Sequence, residues 1–226
     1  MAGVRLSAFD VIGPVMVGPS SSHTAGAARI GLLARRLLGA APVRARLELH
    51  GSFAATGRGH ATDRALVAGL LGMASDDAAL PESLELAPAR GLEVEFVTTD
   101  LGPDAHPNTA RIALTAADGE ELCCTASSLG GGIVEVYELD GYETGIRGTL
   151  DTLVCRHDDK SGFLARLTAV LACVEVNIAA LRTARKDRGR EALTVIETDG
   201  PVPPDALGLL ARMPMMRRLR ALSPWS

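Results

Sequence analysis

The chain has 226 residues, enough for one large domain or two small ones. With 47% apolar but only 3% aromatic residues, its core has to be built from Ala, Val, Leu and Ile, which suits close helix–sheet packing. The net charge of −4 leaves no basic surplus for a phosphate backbone and argues against nucleic acid; no run approaches the ~18 apolar residues that span a bilayer, residues 1–14 lack the apolar centre of an export signal, and a cytoplasmic protein is expected.

In chain order, residues 22–38 (SHTAGAARIGLLARRLL) carry Ala28, Leu32, Leu33 and Leu37 near helical spacing, with Gly39 as a stop. Residues 43–49 alternate as a half-buried strand does. Residues 51–59 are loop-like, and residues 62–71 form a second helix closed by Gly72. Residues 75–91 are polar, hold two prolines and show no period, as expected of a connection. Residues 92–98 are a strand. Residues 111–115 and 121–127 are two more around the turn Asp118-Gly119, and residues 133–138 follow the glycine run Gly130–Gly132. Two helices and about five strands give a compact α+β unit, assigned to residues 1–146.

The second unit, residues 149–226, repeats none of this. Strand 150–156, the loop HDDKSG, helix 163–173, strand 176–183, a charged turn at 185–190, strand 191–198, helix 204–212 and strand 216–222 follow in the order βαββαβ. That order is the ferredoxin-like pattern.

Chemistry concentrates in a few short motifs. Ser20, Ser21, Ser22, His23 and Thr24 stand where the first helix begins. A helix start offers unpaired N–H groups and a partial positive charge, so hydroxyls there suit a carboxylate or phosphate; ordinary capping would need one serine. His60 sits in a glycine loop just before the second helix, either as a base biased toward its neutral form or as a surface histidine beside a cap. Ala105-His106-Pro107-Asn108 is either a turn or an approach to a site. Ser127 to Gly132 form either a backbone nest for an anion or a tight bend. His50 ends a strand. Asp158-Asp159-Lys160-Ser161-Gly162 joins a strand to a helix, as a backbone ligand site or a plain turn. Cys123, Cys124, Cys155 and Cys173 have no zinc spacing, and the adjacent pair points to opposite faces of a strand, so packing cysteines are expected.

Taken in order, GPSSSHTAG, TGRGHATDRALVAGLLG, HPNTA and SLGGG resemble the β-domain of bacterial iron–sulfur L-serine dehydratases. HDDKSGFLARLTAVLACVEVNI, in its βαββαβ setting, resembles an ACT domain, a module that binds amino acids between copies. The first domain is also similar to the allosteric substrate-binding domain of some phosphoglycerate dehydrogenases. The resemblance implies conversion of L-serine to pyruvate and ammonia together with a separate α-subunit that carries a [4Fe–4S] cluster, none of it ligated by this chain. It implies catalytic roles for His60 and His23, and substrate contacts from Ser20, Ser21, Ser22, Thr24, His106 and Asn108. It implies an allosteric ligand at Asp159, Ser161, Gly162, Asn177 and Ile178, and a homodimer through both domains. Ala61, where glycine is expected, and the Cys123-Cys124 pair depart from the family pattern. The rival reading is a non-catalytic amino-acid sensor; a detached regulatory arm of a serine-biosynthesis dehydrogenase is a third.

Overall fold

A computed structural model describes residues 15–57 and 59–225. Contacts divide the chain into two compact units between Asp140 and Gly141.

In the first unit, residues Ser21–Gly26 wind as a π-type turn that runs straight into helix α1 (Ala27–Leu38). Gly39, left-handed at φ 81°, closes it by donating its N–H to the Arg35 carbonyl. Strand β1 (Pro42–His50) follows, with Ala45, Leu47 and Leu49 buried and Arg44 and Arg46 exposed, the alternation read from the sequence. Residues 51–56, expected as loop, are instead a short helix, α2 (Gly51–Thr56). Helix α3 (Thr62–Leu70) is next.

The supposed connection at 75–91 is also structured. A 3-10 turn (Leu80–Glu82) leads into helix α4 (Ser83–Ala89), with Leu80, Ser83 and Ala87 buried at helical spacing. Its prolines suggested a break, but Pro81 stands at the start, where no N–H is needed, and Pro88 lies in the last turn.

Strands β2 (Glu93–Thr98), β3 (Asn108–Ala116), β4 (Glu121–Gly130) and β5 (Ile133–Leu139) follow in the first unit, and β6 (Tyr142–Ile146), past the division at Gly141, ends the sheet order β2-β1-β3-β4-β5-β6. That is one strand more than the sequence suggested. β1 pairs with β2 in parallel, across a crossover that carries α2, α3 and α4, and with β3 antiparallel. Gly131 and Gly132, at φ 60° and 79°, make the two-residue turn between β4 and β5. One face of the sheet buries Leu47, Ile112, Ala126 and Val136 along with Ile30 and Leu33 of α1. The opposite face carries Arg46, Glu48, Glu95 and Arg111 in ion pairs.

The second unit holds β7 (Asp151–Asp158), α5 (Phe163–Cys173), β8 (Ile178–Arg185), β9 (Glu191–Thr198), α6 (Pro204–Ala211) and β10 (Met216–Leu222). Its sheet runs β10-β7-β9-β8, with all neighbours antiparallel. Leu153, Cys155, Phe163, Leu167, Ile196 and Leu210 form its core. β8 starts two residues later than expected, because Glu175, at φ 55°, turns the chain after α5. Among the described residues, no helix is long and apolar enough to cross a membrane.

Candidate active site

The sequence motifs of the first unit meet at one end of the sheet. Ser20 caps the π-type turn: its hydroxyl accepts the His23 N–H at 3.1 Å, and its carbonyl takes Thr24 N–H at 2.8 Å and Ala25 N–H at 3.4 Å. One serine therefore does the capping, and Ser21 and Ser22 remain half-buried beside it. The turn is seated on β4 by Gly26, where an added Cβ would lie 2.1 Å from Ser128 Oγ. Arg29, in the first turn of α1, donates to the Gly132 carbonyl at 2.6 Å and ties the glycine hairpin to the same end.

His23 projects from this turn onto α2. Its Nε2 lies 3.0 Å from Ser52 Oγ and 3.2 Å from Thr56 Oγ1. Its ring meets Phe53 edge-on, at 5.4 Å and 68°. Phe53 is fully buried and pins α2 to the core, while Ser52 N–H donates to the Pro107 carbonyl at 2.7 Å. The HPNTA motif thus supports α2 through its main chain.

His60 completes the pair. Its ring centroid is 5.1 Å from that of His23, tilted by 40°. Its Nδ1 and its backbone N–H both lie 3.2 Å from the Thr56 carbonyl. Thr24 is fully buried, and its hydroxyl donates to the His60 carbonyl at 3.1 Å, so it joins the two histidine segments. Ala61 stands at φ 58°, a conformation that favours glycine, and delivers the chain into α3. Arg58, in the same loop, lies outside the described residues. Burial, and then the neighbouring His60, hold His23 below its ordinary pKa. His23 is therefore neutral near pH 7 and able to accept a proton.

His106 is placed apart from that pair. Its Nδ1 accepts the Asn108 N–H at 3.1 Å, and its ring lines a separate cavity of about 410 Å³ with Ser127, Glu135 and Tyr137. Burial lowers its pKa as well. Asn108 and Thr109 open β3 rather than forming the expected turn. Sequence reasoning missed Ser52 and gave Thr56 no role of its own, though their four-residue spacing would have marked one face of a helix had α2 been recognised.

In the second unit, the Asp159 carboxylate is taken by Arg185 at 3.1 Å and Gly189 N–H at 2.8 Å. Gly162, left-handed at φ 87°, opens α5 with Ser161 exposed beside it. Asn177 pairs with Asp199 at 2.5 Å next to Ile178. α5 and β8 run in opposite directions between these points, so Asp159, Ser161 and Gly162 lie at one end of the sheet and Asn177 and Ile178 at the other.

Two histidines with hydroxyls around them stand in the first unit, and a ferredoxin-like unit follows along the chain. The family profile described as "Serine dehydratase beta chain" matches residues 7–92. The "Probable L-serine dehydratase, beta chain" of Bacillus subtilis (strain 168) is 44% identical over 208 residues, 92% of this chain and 94% of that protein. The "L-serine dehydratase, beta chain" of Peptoniphilus asaccharolyticus is 39% identical over 196 residues, 87% and 88% of the two chains. "L-serine dehydratase 2" of Escherichia coli (strain K12) is 32% identical over 152 residues, which span 33% of that longer protein. The chain belongs to the L-serine dehydratase β-chain family.

The iron–sulfur cluster that the resemblance implies does not fit the donors described here. Among the described residues, no three His, Cys, Asp or Glu side chains converge as a metal site. Cys124 is buried in the first sheet with Cys123 on the opposite face, Cys155 is buried in the second unit, and Cys173 is exposed at the end of α5.

Proposed function

We propose that this chain is the β-subunit of an L-serine dehydratase, supplying part of an active site that a separate α-subunit completes. In this reading the [4Fe–4S] cluster, the Lewis acid for the serine hydroxyl, is carried by that α-subunit. The observation that carries the proposal is the histidine pair, 5.1 Å apart at the helix start, in a chain 44% identical to a β chain over almost its full length. Ser21 and Ser22, at the positive end of the α1 run, receive the serine carboxylate with Ser20 holding the turn. His60 or its neighbour His23 takes the α-proton, and the β-hydroxyl departs as water. The enamine left behind tautomerises to an imine, which water hydrolyses to pyruvate and ammonia. His106 and Asn108 stand at the same end of the sheet, but His106 faces its own cavity apart from the histidine pair and is left out of this step.

The domains expected from the sequence, residues 1–146 and 149–226, act as the serine dehydratase β-domain and an ACT domain. Because the second unit's candidate ligand residues lie at opposite ends of its sheet, one copy cannot close on a small amino acid. A second copy packed antiparallel along the exposed edge strand β8 would bring Asn177 of one beside Gly162 of the other. Mixing a Gly162→Ala chain with an Asn177→Ala chain should restore one intact serine site per pair. Calorimetry that shows full serine binding to either variant alone would sink this assignment.

Anaerobic co-expression with the α-chain tests the main reading. Pyruvate formation should need both chains, and His60→Ala should fold yet be slowed by roughly 10²-fold or more. An α-chain equally active alone would make this protein a regulator. The acid limb of the rate should follow the lowered pKa of His23, with activity lost as pH falls below the ordinary value of 6.5.

A further inference from the structure

We infer that Thr56, assisted by Ser52, fixes the two histidines in opposite tautomers: His23 protonated on Nε2 with its lone pair on Nδ1, and His60 protonated on Nδ1 with its lone pair on Nε2. The inference rests on the reading of this pair as the acid–base centre.

Proton counting carries it. The Thr56 hydroxyl has one proton, and it donates that proton within α2 to the Ser52 carbonyl at 2.9 Å. Toward His23 Nε2, at 3.2 Å, Thr56 Oγ1 therefore offers only lone pairs. Ser52 Oγ, at 3.0 Å, accepts equally well and keeps its own proton for Thr56 Oγ1 at 3.4 Å. A proton on Nε2 satisfies both oxygens, whereas a lone pair there would face another lone pair. With its one ring hydrogen on Nε2, neutral His23 keeps its lone pair on Nδ1, which is then the basic atom. For His60 the same residue acts through its main chain. The Thr56 carbonyl can only accept, so His60 Nδ1, 3.2 Å away, carries the hydrogen and Nε2 is left open.

Ser52 and Thr56 are thus positioning residues, and they act on the two rings by different atoms. Removing the Thr56 side chain should free His23 and leave His60 as it was, because the carbonyl remains. A residue that merely shaped the loop would disturb both.

The test uses the full chain labelled with ¹⁵N in its histidine rings, at about pH 8, above the usual histidine range. Long-range ¹H–¹⁵N correlations identify the protonated nitrogen, and His23→Gln and His60→Gln assign the signals. Wild type should show His23 as Nε2–H and His60 as Nδ1–H. In Ser52→Ala/Thr56→Val, His23 should become a mixture while His60 is unchanged, and Thr56→Ser should restore the wild-type pattern. In the complex with the α-chain, the double variant should lose roughly tenfold in kcat with little change in KM. An Nδ1–H form of His23 in wild type, or both rings changing together, overturns the inference. If the tautomers behave as stated but His23→Gln keeps full activity, the tautomer assignment stands and the proposed role of His23 in the dehydratase reaction fails.

Discussion

Replacing Gly69 with alanine should loosen the stability and the site together. A Cβ at Gly69 would lie 2.1 Å from the Ala28 carbonyl oxygen, 2.5 Å from Leu32 N and 2.9 Å from the Gly31 carbonyl carbon, all main-chain atoms of α1. Gly31 faces the same crossing from the other side, where a Cβ would lie 2.2 Å from the Leu66 carbonyl oxygen. No flexible side chain can give way, so the helices must part by roughly 1 Å to reach even a tight contact. Overpacking of this kind costs ~1–3 kcal/mol. Alanine recovers up to ~1 kcal/mol of helix propensity, leaving a net loss of about 2 kcal/mol near the upper end of that range. The same displacement separates the segments bearing His23 and His60, which the 3.1 Å Thr24–His60 hydrogen bond joins. A misplacement of about 1 Å can slow catalysis by roughly 10²-fold. Urea unfolding gives the stability change, and pyruvate formation with the α-chain gives the rate. Gly208→Ala is the control, since its Cβ meets nothing within 4 Å in α6 and it should be neutral to stabilising. A Gly69→Ala chain that unfolds at the wild-type midpoint and turns over normally would refute the close-packed crossing.

The remaining predictions concern protonation and thiols. His157 is buried, stacked on Phe163 at 3.6 Å, with Nε2 2.8 Å from Thr194 Oγ1. Burial holds its pKa below the ordinary 6.5, so the unfolded chain binds the proton more readily. Its contribution is therefore complete above 6.5 and declines as pH falls through the lower folded value, and His157→Asn should flatten that slope in urea midpoints measured against pH. Thiol alkylation followed by peptide mass spectrometry should mark exposed Cys173 first. Burial pushes the Cys124 thiol far above its usual range and Cys155 up to about 12, so both should react only on unfolding; native labelling of Cys155 at the rate of Cys173 would contradict the second unit's packing.

Where an element was long and periodic, the sequence was enough to place it. α1, β1 and the βαββαβ order all show the spacing that burial imposes, because one face of each meets a core. α2 escaped because it has six residues and one buried side chain, Phe53, too few to express a period. α4 escaped because its prolines sit where a helix tolerates them. β8 was misplaced by two residues because nearly every position along it is exposed, so no alternation fixed its register.

The same physics divides the site. His23 and His60 were visible because glycines and serines around them signal helix starts and close backbone approach. The groups that set their chemistry were not: Ser52 carried no signal, and Thr56 only opened the TGRGH motif until α2 aligned the two four apart toward His23. Ala61 was noted as a departure from glycine, and its φ of 58° gives that departure a physical meaning. An L-residue held in this region costs about 1 kcal/mol, and here the surroundings bear it: Thr62 N–H bonds the Gly57 carbonyl at 2.8 Å on one side, and Thr24 holds the His60 carbonyl at 3.1 Å on the other. The left-handed step places the His60 ring back toward Thr56 while the chain leaves into α3. The strain and the histidine pairing are therefore one arrangement, and neither can be relieved without moving the other.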